Sequence, residues 1–286
     1  MNEQVSLFYM VKESSRIFVL LSHDVEWGRR GAPLSHILER KERFDEKVLK
    51  DLEKKNPYQN IREVLEIEEK LGIQSTFFFR TYVKDSQHPP PPYDLSEYKE
   101  DIKYMISKGW EVGLHSDMTS HNNLERLRRE KEDLEKIAGT KVFGNRVHYT
   151  VGNTLDTPLF RNLSNLVFKY DSSVKYKREE ITEEDFGYFL KEGIVVFPIT
   201  IMEALIFYYN VKTETEVLKT IKHAIDMCRR LREKSKIVTV DWHDCSLKMK
   251  YGRKYLEVLN YLTSQKDVHI KRGIDLANMI EKGEIQ

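Results

Sequence analysis

The stretch LLSHDVEW (residues 20–27) decides the reading of this chain. It completes the aliphatic run IFVLL (17–21), whose residues favour extended backbone. Two carboxylates, Asp24 and Glu26, follow directly. In a strand, residues i and i+2 point the same way, so this pair converges on one point while His23 faces elsewhere and bonds to a neighbour. Two carboxylates in that position repel unless a cation or a proton lies between them. A divalent metal removes the repulsion and leaves one carboxylate free as a base. The bland alternative, an exposed turn, accounts poorly for an acidic pair abutting an apolar run.

Three further segments repeat the pattern of a reactive side chain at the end of a strand-like run: EVGLHS (111–116), FGNRVHY (143–149) and VTVDWHD (238–244). Strand ends are where parallel α/β folds gather reactive groups. Asp24, Glu26, His115, Arg146, His148 and His243 together form the kit of a metal-assisted hydrolase. His115 suits a metal through its neutral imidazole, with Ser116 and Asp117 to orient it; the alternative is a satisfied core histidine. His121 lies too far along to share a helical face with His115 and reads as a surface residue at a helix start. Arginine cannot bind a metal, so Arg146 pins a carboxylate or a substrate oxygen. His148 binds metal or sugar, or packs beneath Tyr149. His243 is placed to protonate a leaving amine, with Asp241 or Asp244 holding its tautomer. Trp242 offers a flat apolar face for a sugar ring, or fills the core. His148, Trp242 and Asp241 are thus the substrate-binding candidates.

Outward from these segments the chain alternates strand and helix. Arg16 to Ser22 begins the first strand, STFFFR (75–80) the second, and others fall at 141–149, 169–174, 194–199 and 236–243. Helices are expected at 61–71, capped by Asn60; at 95–108; at 124–138, capped by Asn122 or Asn123; near 157–167; and at 214–233. A helix–strand–helix unit occupies 251–283, and HPPPPY (88–93) reads as a stiff extended loop. Seven or eight strands with intervening helices make a parallel (β/α) barrel, which typically takes about 250 residues. The 286 residues read as one domain (1–286) with a helical insertion near 34–56.

Composition narrows the class. Hydrophobic residues make up 40% and charged residues 33%, which is a globular balance. A net charge of +1 argues against a nucleic-acid partner or an anionic-membrane surface. The two cysteines, Cys228 and Cys245, form no CxxC pair and read as inert thiols, though Cys245 is placed to line a site. No apolar run reaches the ~20 residues of a membrane span and no signal-peptide core opens the chain, so a cytoplasmic address is expected.

With these residues in view, the chain resembles the polysaccharide deacetylase superfamily, carbohydrate esterase family 4. SHDVEW (22–27) looks like a variant of that family's opening acidic motif, and GWEVGLHS (109–116) closely matches its Gly-x-Glu-Ile/Val-Gly-x-His-Ser/Thr motif. GNRVHY (144–149) is similar to its arginine motif and VDWHD (240–244) to its late histidine motif. YDSSV (170–174) and FPITIME (197–203) resemble an uncharacterised branch with an HDVD-like opening. The resemblance implies a deformed (β/α) barrel of about seven strands and a divalent metal, often zinc. The implied activity is removal of an acetyl group from an N-acetylated sugar. It makes Asp24 the general base, Glu26 and His115 metal ligands, Arg146 the residue that orients Asp24, and His243 the general acid. Two departures stand out. Glu26 replaces the usual Asp, and Thr119 stands where a second histidine is usual. The third ligand is then Asp24 itself, His121 or His148, or the site is degenerate. The alternatives are a non-catalytic carbohydrate-binding domain and a hydrolase of a small non-peptide amide.

Overall fold

A computed structural model describes residues 16–81, 90, 92–149, 158–208, 213–232 and 234–285. In chain order the strands are β1 (Ile17–Val25), β2 (Thr76–Phe79), β3 (Glu111–Ser116), β4 (Gly144–Val147), β5 (Tyr170–Asp171), β6 (Phe189–Lys191), β7 (Ile194–Val196), β8 (Ile201–Met202), β9 (Ile237–Asp241) and β10 (Val268–Lys271). The helices are α1 (Leu34–Glu39), α2 (Glu46–Lys50), α3 (Ile61–Lys70), α4 (Lys99–Lys108), α5 (Leu124–Ala138), α6 (Leu159–Asn165), α7 (Glu214–Arg230), α8 (Tyr255–Ser264) and α9 (Gly273–Glu281). Half of the HPPPPY loop (88, 89 and 91) lies outside the described residues. No helix among the described residues is long and apolar enough to cross a membrane.

β1 is the axis of the molecule, and all nine of its residues are buried. It pairs in parallel with β9 on one side. On the other side β10 pairs with its first half and β2 with its second. From β2 the parallel ladder continues through β3, β4, β5 and β7. One short segment then crosses back: Ile199 N–H donates to Val174 O, and the next residue, Thr200, donates to Thr239 O on β9. Because β7 pairs with β5 and β8 with β9, residues 194–202 join the two ends of the curled sheet. The fold class expected from the sequence, a deformed parallel (β/α) barrel, is what the chain adopts. Among the described residues the strand count rises to ten, because β8 and the antiparallel hairpin strand β6 are too short to read from periodicity.

Alternation along β1 sorts the core into two layers. Phe18 and Leu20 face inward with Phe78, Tyr170, Phe197 and Ile237, and α9 closes the base of the barrel with Leu276 and Ala277. Ile17, Val19, Leu21 and Val25 face outward beneath the helices, beside Phe77 and Phe79. Gly113, inside the EVGLHS motif, has a packing reason: a Cβ there would lie 2.5 Å from the Phe78 ring.

Two local expectations fail. Asn60 does not cap α3; its side-chain amide donates to Pro57 O (2.7 Å) and Asp244 O (3.2 Å), tying the helix start to the loop after β9. The insertion is not one helix but α1, a short turn at Lys41–Arg43, and α2. Asn123 does cap α5, accepting from Arg126 N at 3.0 Å, and Gly139 ends it at φ +70°.

Candidate active site

With α9 at the base, the open end of the barrel is the one where strands finish. β1 delivers Asp24 and, one residue past its end, Glu26. β3 delivers His115, β4 delivers Arg146 and His148, and β9 delivers Asp241 and His243. These side chains share the inward phase of their strands and meet at one mouth.

Arg146 is wholly buried and organises the floor. Its Nη1 reaches Asp24 Oδ1 at 3.0 Å and Asp241 Oδ1 at 2.8 Å. Nε and Nη2 donate to Ser172 O and Oγ, and the guanidinium lies 4.6 Å from the Phe78 ring centre. One cation between two carboxylates sustains one full negative charge. Burial opposes the Asp24 carboxylate, but Arg146, then His115 and His243, hold it below its ordinary pKa. Burial wins at Asp241 and pushes it up to about 7 against the pull of Arg146.

Above the floor sits a trio. His115 Nε2 is 3.3 Å from Glu26 Oε1 and 3.6 Å from Asp24 Oδ2. His148 Nε2 is 3.0 Å from Glu26 Oε2. Burial opposes ionisation of Glu26, yet His148 and His115 hold it well below the usual carboxylate range. His115 Nδ1 faces Arg146 O at 3.0 Å and must donate to it, because a carbonyl only accepts. Without an ion, Asp24 and Glu26 outweigh burial and raise the pKa of this imidazole; in the neutral form that a metal would need, the lone pair of Nε2 turns toward those two carboxylates. Tyr149, next to His148, adopts φ +60°, a strained conformation of the kind that gathers at functional sites.

Donor atoms of Glu26, His115 and His148 lie within 4.8 Å of one another, as do those of Asp24, Glu26 and His243. Metal–ligand bonds of about 2.0–2.1 Å put the corners of a tetrahedral ion roughly 3.3 Å apart, and the Glu26–histidine separations, one to each carboxylate oxygen, are of that order. Glu26 Oε2 faces His148 Nε2 and, at 3.7 Å, Arg80 Nη1, but neither approach has the geometry of a hydrogen bond. Two imidazole nitrogens and a carboxylate converging on one point thus fit a divalent cation.

Opposite the trio, His243 Nε2 stands 4.0 Å from Asp24 Oδ2 and 3.9 Å from Glu26 Oε1. Its Nδ1 meets Glu203 Oε2 at 2.9 Å, whereas Asp241 is 4.0 Å away. Burial disfavours the imidazolium, but Glu203 and Asp241 raise its pKa well above the ordinary value.

The placements correct several sequence expectations. Glu203, and not Asp241 or Asp244, holds the His243 tautomer; it follows β8 as Glu26 follows β1, and β8 was too short to reveal it. Asp241 lies beneath the site as a partner of Arg146 and is fully buried, so it contacts no substrate in this arrangement. Trp242 is also fully buried and packs on Phe207 and Tyr255, so it offers no face to a sugar ring. It is out of phase with Asp241 and His243 and faces the helical layer. His121 is buried, not a surface residue, and is absent from both donor groups. His148 stands where a third ligand would. Cys245 lines the mouth, and burial raises its thiol pKa well above the ordinary value.

No protein-family model matches the sequence, and no curated protein does. Solved structures match the fold. A putative polysaccharide deacetylase from Mycobacterium smegmatis superposes with a TM-score of 0.60 at 14% identity, covering 95% of this chain and 93% of that one. The chain has the polysaccharide-deacetylase fold. A PuuE allantoinase matches at TM-score 0.62 and 14% identity over 93% of this chain and 90% of that one. A family 4 pseudoenzyme from Bacillus anthracis matches at 0.51 and 12% over 92% and 66%. The deacetylase fold therefore hosts more than one function, and the residues at the mouth must discriminate.

Proposed function

We propose that this chain is a metal-dependent hydrolase that removes an acetyl group from an N-acetylated sugar. The observation that carries the reading is the division of labour across the mouth: three convergent donors on one wall, a low-pKa carboxylate on the floor, and a high-pKa imidazole opposite. Glu26, His115 and His148 would hold the ion. When bound, a divalent metal supplies a Lewis acid that polarises the acetyl carbonyl and acidifies a water. Asp24, kept ionised by Arg146, accepts the proton of the attacking water. His243, kept protonated by Glu203, presents Nε2–H to the leaving nitrogen, which departs poorly without a proton. Arg146 acts through Asp24 and fixes its orientation.

The non-catalytic alternative rested on the missing second histidine, and His148 weakens it. The small-amide alternative gains support from the likeness to an allantoinase. Incubation of the zinc-loaded protein with N-acetylated sugars and with allantoin tests both readings. Acetate release from a sugar that is lost in Asp24→Asn supports deacetylation. Turnover of allantoin alone moves the assignment to the amide class, and activity that persists in Asp24→Asn removes the proposed base.

A further inference from the structure

Beyond the trio, the mouth opens into a cavity of about 220 Å3. Glu26, Glu203 and His243 line one end, and Arg40, Arg43 and Tyr58 the other. The far wall comes from the insertion: Arg40 follows α1, and Arg43 closes the turn before α2. Arg40 is partly matched by Glu39, at 3.0 Å. Arg43 makes no ion pair with a described residue, and its Nε is buried without a hydrogen-bond partner. Phenols surround it: Tyr208 hydrogen-bonds the guanidinium and its ring lies 3.7 Å from Cζ, with Tyr58 and Tyr251 nearby, so among the described residues only phenols and no carboxylate face this cation. The Tyr58 hydroxyl is also buried, and apart from its approach to Arg43 it has no hydrogen-bond partner among the described residues. Burial pushes that phenol up to about 12, so it stays a donor.

Buried donors are ordinarily satisfied, and leaving one unmade is costly, the more so beside a charge. A planar guanidinium with an adjacent hydroxyl suits a compact oxyanion, which accepts two parallel bonds from the fork. The cavity is smaller than the roughly 300–1,000 Å3 of ordinary ligand pockets, so it admits one ring-sized group. We propose that Arg43, Tyr58 and Arg40 bind an anionic substituent, carboxylate or phosphate, on a single acetamido sugar whose amide lies at the Glu26–His243 end. This deepens the deacetylase reading and rests on it for the amide. It makes the insertion the specificity element.

Binding tests it without turnover. N-acetylglucosamine, N-acetylglucosaminuronic acid and N-acetylglucosamine 6-phosphate are titrated calorimetrically into the zinc-loaded protein and into Arg43→Gln and Arg43→Lys. The expected result is that at least one acid binds ten-fold or more tighter than the neutral sugar, with Arg43→Gln erasing the advantage and Arg43→Lys keeping part of it. The two acids separate carboxylate from phosphate. The proposal is overturned if the neutral sugar binds as tightly as both acids, or if none of the three binds. It is also overturned if the acid's advantage survives Arg43→Gln, which would mean that the metal reads the charge. Unchanged melting temperatures in the variants exclude a folding effect. Acid binding without acetate release would instead count against the deacetylase assignment and leave the anion site standing.

Discussion

Two buried polar clusters sit back to back on β1, one on each face. On the outer face, His23 meets Glu68 at 2.7 Å and Trp242 O at 2.5 Å. Glu68 also accepts from Ser75, Trp110 and Tyr255. Every polar atom of that pair has a partner. On the inner face, one residue later in sequence, Asp24 joins Glu26, His115 and His148; there Glu26 Oε2 has only the ion-pair approaches of His148 and Arg80, neither with hydrogen-bond geometry, and His148 Nδ1 has no hydrogen-bond partner among the described residues. Histidine and carboxylate at equal depth thus serve two ends. A satisfied network fixes structure; convergent acceptors left incomplete mark a place for something that is not protein.

The largest contrast should appear on replacing each cluster's carboxylate. Asp24→Asn should lower kcat by about 10²–10⁴, the usual worth of a general base. Circular dichroism should show the fold retained. Glu68→Leu should do the reverse: strand a buried imidazolium at a cost of about 3–5 kcal/mol in urea unfolding while leaving zinc stoichiometry unchanged. Equal damage to both properties by either variant would dissolve the distinction.

The inner cluster can be sharpened further. His148→Ala should weaken zinc binding, measured by competition with a chelator, by more than the roughly 10–100-fold that outer partners are worth, while His121→Ala leaves it unchanged. Glu203→Gln should have a smaller effect, about 10-fold in kcat. It should also move the alkaline limb of the pH–rate profile to lower pH, because Glu203 keeps the proton on His243.

The smallest effect belongs to the outer cluster. Burial lowers the pKa of His23, but Glu68 more than compensates and raises it above the ordinary value. A raised histidine pKa stabilises the fold fully below the unfolded value near 6.5, and the benefit fades as pH climbs through the folded value. The stability gap between wild type and Glu68→Gln should therefore narrow above pH 6.5. A constant gap would mean that the pair contributes nothing through charge.

How far the sequence could be read follows from the same alternation. Runs long enough to show a period, such as 17–25 and 111–116, disclosed both their strands and the side chains at their ends. The inward phase of Asp24, Arg146 and His243 was legible, and the same rule sets Trp242 outward, so its phase and not its aromatic chemistry decides its place. Glu203 escaped because β8 has two residues and no period. The burial of His121 had no signal in its spacing to His115, which says nothing about α6, whose Asn162 donates to His121 O at 2.8 Å. The surroundings of Arg43 depend on three phenols distant in sequence and had no local signal.

The central claim is that Glu26, His115 and His148 jointly hold one divalent ion above Asp24. Crystals soaked in zinc and measured at the zinc absorption edge test it directly. The account predicts a single anomalous peak about 2.0–2.2 Å from His115 Nε2, His148 Nε2 and a Glu26 oxygen. A peak bound elsewhere, or none at this mouth at full zinc loading, would contradict it.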